Sequence, residues 1–111
     1  MRRIELSLGE HAPVVVFLRE PKEKVWGLLL SIEASGVTLR GLDLDTFEDW
    51  LRQEARGHER LIGPLTLFYP MHRIERLERD QSVGPIQSYA DRFFAEAGHP
   101  VTDAFGFGED D

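Results

Sequence analysis

The residue types that could do chemistry are few and far apart. Histidine stands at His11, His58, His72 and His99, with no H-x-x-x-H or E-x-x-H spacing. No two of them would share a helix face, as the paired ligands of a helical zinc site must. Asp43, Asp45 and Asp49 have the spacing of a calcium loop, but Phe47 and Glu48 fill the positions where such a loop needs an oxygen ligand and a glycine. Helix capping and loop solvation account for these carboxylates. Cysteine is absent, which excludes disulfides, thiolate nucleophiles and cysteine-ligated metal centres. The chain also lacks a P-loop, a dinucleotide fingerprint and a nucleophile elbow. The sequence therefore predicts a protein that is not an enzyme and has no cofactor or metal.

The remaining polar chemistry is cationic, and it is diluted. Arg73, Arg76 and Arg79 come nearest to a cluster, yet Glu75, Glu78 and Asp80 are interleaved with them. Alternating signs mark a solvated face more often than a phosphate track. The whole chain carries a formal charge of −7 at pH 7, so polyanions are repelled on average. Nucleic-acid binders usually carry a basic stripe instead. RNA is a possible partner that the charge disfavours.

The elements that must position these groups follow from periodicity. Residues 14–18, β-branched and aromatic, read as a strand, and 25–32 as its antiparallel neighbour beyond the polar turn around Pro21. A tight turn at Ser35 and Gly36 adds 37–42 as a third strand. Gly27 lies inside the second strand, where glycine marks a bulge, a bend or a close backbone approach. Over 45–56 the period lengthens to three or four. Asp45 and Glu48 form a capping-box pattern, and Phe47, Trp50 and Leu51 share one face. Residues 65–69 and 71–78 read as strands meeting at Pro70, which has no N–H to offer a ladder. Pro85 opens a helix over 85–97 with Ile86, Tyr89, Ala90, Phe93, Phe94 and Ala97 on its apolar face. Ile4, Leu6 and Leu8 alternate as an amino-terminal arm, 101–107 has no clear period, and 108–111 reads as a disordered acidic tail.

This arrangement resembles the Sm-like family, in particular its Hfq-like branch, over residues 14–42 and 66–78. The second-strand pattern of that family is matched by Gly27, Leu29, Ile32 and Glu33, followed by Val37 and Leu39; the later strand pattern is matched by His72, Ile74 and Leu77. The resemblance implies a five-stranded, SH3-like bent antiparallel barrel that assembles by pairing exposed edge strands. It also implies a central RNA site built from a Gln-aromatic pair and a Lys-His pair, in which rings stack on bases and the cation meets phosphate. Here the first pair falls on Ala34 and Ser35, and the lysine position on Met71, leaving His72 alone.

The sequence thus predicts a mainly β single domain spanning 1–111, with a barrel core over 14–80, an inserted helix at 45–56 and a carboxy-terminal helix at 85–97. The leading functional expectation is a non-catalytic interaction or assembly module that forms homo-oligomers and binds a protein partner. Its interaction surface is assigned to Phe47, Trp50, Tyr89 and Phe93. The alternative is an Sm-like RNA-binding protein using Arg40, His72, Arg73 and Arg76 at a pore or rim. The amino terminus, MRRIELSLGE, meets Glu5 and Glu10 at once and does not read as a signal peptide. Apolar runs fall far short of the roughly 20 residues of a membrane span. A soluble, cytoplasmic protein with no membrane partner is expected.

Overall fold

The run PVVVFL forms strand β1, Pro13–Leu18, in a computed structural model that describes residues 11–57 and 61–106. The strands that follow are β2, Glu23–Glu33, β3, Gly36–Asp43, β4, Leu65–Pro70, and β5, Ile74–Arg79. They pair antiparallel in the order β4-β3-β2-β1-β5. The turn between β2 and β3 falls on Ala34 and Ser35, one residue earlier than expected, because Gly36 already faces Glu33 in the ladder. The amino-terminal arm and the acidic tail lie outside the described residues.

A short corner of chain requires this sheet to curl. Residues Met71–Arg73 form a single 3-10 turn between β4 and β5, the two edges of the sheet. Within that turn the Met71 N–H donates to the Ser35 carbonyl at 3.0 Å, while the Arg73 carbonyl accepts from the Arg19 N–H at 2.9 Å. Ser35 and Arg19 lie beyond opposite ends of β2, an 11-residue strand that would measure roughly 36 Å if straight. Three residues reach only about 10 Å, so β2 must bend until its ends meet the same corner. Two features of the strand permit the bend: Gly27, and a register shift between Leu29 and Ser31. The result is a curled sheet whose described pairing ends at β4 on one side and β5 on the other.

Both faces of the curl are buried, each by a separate cluster. Val14, Val16, Leu18, Val25, Leu29, Val37 and Leu39 fill the concave side, with half-buried Leu67, Tyr69, Ile74 and Leu77 from the edge strands packed against them. Val15, Trp26, Leu28 and Leu42 point the other way, as the two-residue period of a strand requires. They meet Phe47, Trp50, Leu51, Phe93, Val101 and Phe105. These last residues come from three helices, α1, Phe47–Arg56, α2, Tyr89–Ala97, and α3, Val101–Ala104, with Phe105 at the cap that ends α3. Each fully buried large side chain contributes on the order of 1.5–3 kcal/mol. This aromatic layer is therefore a main source of stability.

The helix starts differ from expectation for local reasons. Asp45 does not cap α1: it sits in a 3-10 turn, Leu44–Thr46, and the cap position belongs to Thr46, whose hydroxyl donates to the Asp43 carbonyl at 2.9 Å. Pro85 does not open α2 either. The helix begins at Tyr89 behind Ser88, whose Oγ accepts from the Asp91 N–H at 3.0 Å, while Val83 and Ile86 form a small bridge before it. The α3 turn was not expected, since only Val101 and Phe105 carry its pattern.

Candidate interaction surface

The four candidates fall at three places: Arg40 on β3, His72 and Arg73 together at the 3-10 corner, and Arg76 on β5. Arg40 lies on the helix-covered face of β3. Its Nε donates to the Phe105 carbonyl at 2.8 Å and its guanidinium to Thr66 Oγ1 at 3.2 Å. Arg73 fastens the corner: its Nε donates to the Arg19 carbonyl at 2.9 Å and Nη2 to the Pro21 carbonyl at 3.1 Å, with Glu23 at 3.6 Å. Arg19 reciprocates, donating from Nε to the His72 carbonyl at 3.0 Å. His72 belongs to the exposed 3-10 corner rather than to a strand, and its contribution there comes from the main chain. Arg76 stacks 3.9 Å above the Phe17 ring and pairs with Glu78 at 2.8 Å.

A cleft of about 570 Å³ beside Arg76 is lined by Phe17, Lys22, Lys24 and Arg76, but also by Glu23, Asp43, Asp45 and Glu75. Three cations against four carboxylates leave no excess positive charge for phosphates. Among the described residues no group of three or more histidines and carboxylates is placed to hold a metal ion.

The aromatic candidates lie inside. Phe47, Trp50 and Phe93 are buried within one chain and present no free surface to a partner, while Tyr89 is half-buried. Trp26 sits at their centre, edge-on to Phe47 at 5.2 Å and to Phe105 at 5.4 Å, and Trp50 stacks on Phe93 at 4.7 Å. The helices cover the back of the sheet, which is why so many rings fit in a small chain. Arg92 locks α2 to α1 with two bonds to the Glu48 carboxylate, at 2.9 and 2.7 Å.

What remains uncovered is an edge. Strand β4 reads LTLFYP, with Leu65 65% exposed and Phe68 54% exposed, and no residue of it is buried. Among the described residues β3 is its only strand partner. The opposite edge, β5, reads IERLER and alternates apolar positions with charges. No family model matches the chain, and no curated protein or solved structure matches it.

The β4 edge was not anticipated, although a signal was present: 61–72 is the longest stretch without Asp, Glu, Lys or Arg. Next to the edge, an apolar groove of about 450 Å³ runs between Leu65, Leu67 and Tyr69 of β4 and Leu42, Leu61 and Ile62. The Tyr69 phenol titrates above its ordinary value, first because burial disfavours the phenolate, then because Asp43 and Glu23 are near, with Arg73 opposing. The unfolded chain therefore loses this proton at lower pH than the fold does. Stability is intact below pH 10 and falls as the pH rises beyond it. Tyr69→Phe is expected to flatten that alkaline loss in urea titrations taken at successive pH values.

Proposed function

We propose that this chain is a non-catalytic assembly module, an Sm-like, SH3-like barrel that self-associates through its sheet edges and offers its surface to a protein partner in the cytoplasm. The observation that carries the reading is the uncharged β4 edge, on which Leu65 and Phe68 are exposed. Natural sheets protect free edges with charge, proline or bulges, since an open row of backbone donors and acceptors invites another chain. Here β5 has such charges and β4, from Leu65 to Tyr69, has none. Phe94, 56% exposed on α2, is an apolar side chain facing away from the shared aromatic layer and available to a different protein. Arg40, Arg73 and Arg76 lie at three separate places, each bonded within the chain, which favours this reading over an RNA site.

Light scattering on the eluting peak tests it. The expected result is a defined oligomer with a clean protein absorbance spectrum. A monomer at every concentration would remove the self-association claim. Co-purifying nucleic acid released by salt, with oligonucleotide binding abolished by His72→Ala and Arg73→Ala, would establish the RNA-binding alternative in its place.

A further inference from the structure

Resting on the self-association just argued, we infer that the partner at β4 is the β4 strand of a second copy, joined antiparallel about a two-fold axis through Leu67. The direction of the backbone groups supports this pairing. The Tyr69 carbonyl lies against Gly36 of β3, and the Met71 N–H donates toward the same side, to Ser35. Polar groups alternate along a strand, so Leu65, Leu67 and Tyr69 spend theirs on β3, and Thr66 and Phe68 turn theirs to the free edge. Pro70, which has no N–H, falls on the outward set, where an edge proline is tolerated.

Placing Thr66 opposite the partner's Phe68 exchanges two backbone hydrogen bonds, and the symmetry repeats them. On the helix-covered face each Phe68 ring then lies beside a Thr66 methyl. On the concave face Leu67 meets Leu67, and Leu65 meets Tyr69, extending the apolar groove across both copies. A β4 to β5 union would instead set Glu75, Arg76, Glu78 and Arg79 beside Leu65 and Phe68. Charge matching selects the uncharged strand as its own partner. Two-fold closure then leaves β5 free and stops growth at the dimer.

The absence of cysteine from the chain makes the test direct. Directly opposed residues in a non-hydrogen-bonded antiparallel pair have Cα atoms about 4.5 Å apart, within the span of about 4.4–6.8 Å that a disulfide bridges. Leu67→Cys should run as a covalent dimer after mild oxidation, each pair of thiols losing two protons and two electrons to the added oxidant. Thr66→Pro removes two of the four exchanged bonds and should weaken the dimer about 30-fold in sedimentation experiments. Phe68→Lys, which leaves every ladder bond to β3 in place, should do the same if Thr66→Pro fails to fold. An oligomer that persists in all three variants, with Leu67→Cys uncrosslinked, would overturn the two-fold β4 pairing and leave self-association standing. Cross-linking into a ladder only when Leu77→Cys is added would assign a head-to-tail union with β5 instead. A monomeric parent protein would sink both ideas.

Discussion

Gly27→Ala is expected to lower stability by about 4 kcal/mol, and with it the midpoint of thermal unfolding by about 15–25 °C. Gly27 faces Gly41 across β2 and β3, and both belong to the concave side, in step with Val25, Leu29 and Leu39. A Cβ on Gly27 would lie 2.7 Å from the Gly41 Cα and 2.8 Å from the Arg40 carbonyl carbon, and would meet the Arg40 oxygen more closely still. All of these are backbone atoms. No rotamer change relieves the clash, so the two strands must part. The expected loss combines about 1–3 kcal/mol of overpacking with the weakening of neighbouring ladder bonds at about 0.5–1.5 kcal/mol each.

Gly63→Ala provides the control. Its added Cβ meets nothing within 4 Å, and the change should stay within about 0.5 kcal/mol of the parent. Urea unfolding followed by tryptophan fluorescence reads both, since Trp26 and Trp50 are buried. If Gly27→Ala unfolds at the parent's midpoint, the close approach of β2 and β3 is wrong, and the curl that places both edges at one corner is wrong with it.

How far the sequence revealed this fold depended on the distance over which each interaction acts. The strands were legible because β-branched runs and two-residue alternation are local, and Gly27, a glycine inside a strand, marked a close backbone approach. The inserted helix was legible from Phe47, Trp50 and Leu51, all of which are buried. The start of α2 was not, because Ser88 caps only the Asp91 amide and the rest of the support comes from farther away: Asp80, nine and ten residues earlier, satisfies the first-turn amides of Tyr89 and Ala90. Arg73 looked like a surface cation, yet the carbonyls that hold it lie 54 and 52 residues away. Periodicity could not reveal that both faces of the sheet would be covered, and that left the edge strand β4, rather than a ring cluster, as the open surface.

Asp80 carries the second large prediction. Its carboxylate is buried, 8% exposed, and accepts three hydrogen bonds at 2.9 Å: from Trp26 Nε1 in β2 and from the main-chain N–H groups of Tyr89 and Ala90. Its own N–H donates to the Pro13 carbonyl at 2.9 Å. One residue thus ties the end of β5, the centre of the aromatic layer and the positive end of α2 together. Asp80→Ala strands the indole N–H in a buried site and frees two first-turn donors, at an expected cost of about 4 kcal/mol. Asp80→Asn is expected to be no rescue, with a loss of about 2–3 kcal/mol. An amide has one acceptor oxygen for three donors, and its NH2 would face an N–H. Trp26→Phe removes one of those donors while keeping a ring in the layer. Combined with Asp80→Ala it should cost less than the sum of the two single changes by about 1–2 kcal/mol, since the unpaired indole is no longer there to be penalised. Strict additivity in that cycle, measured by urea unfolding monitored by circular dichroism, would mean that Asp80 caps α2 without holding Trp26. The helix layer would then be anchored to the sheet by packing alone.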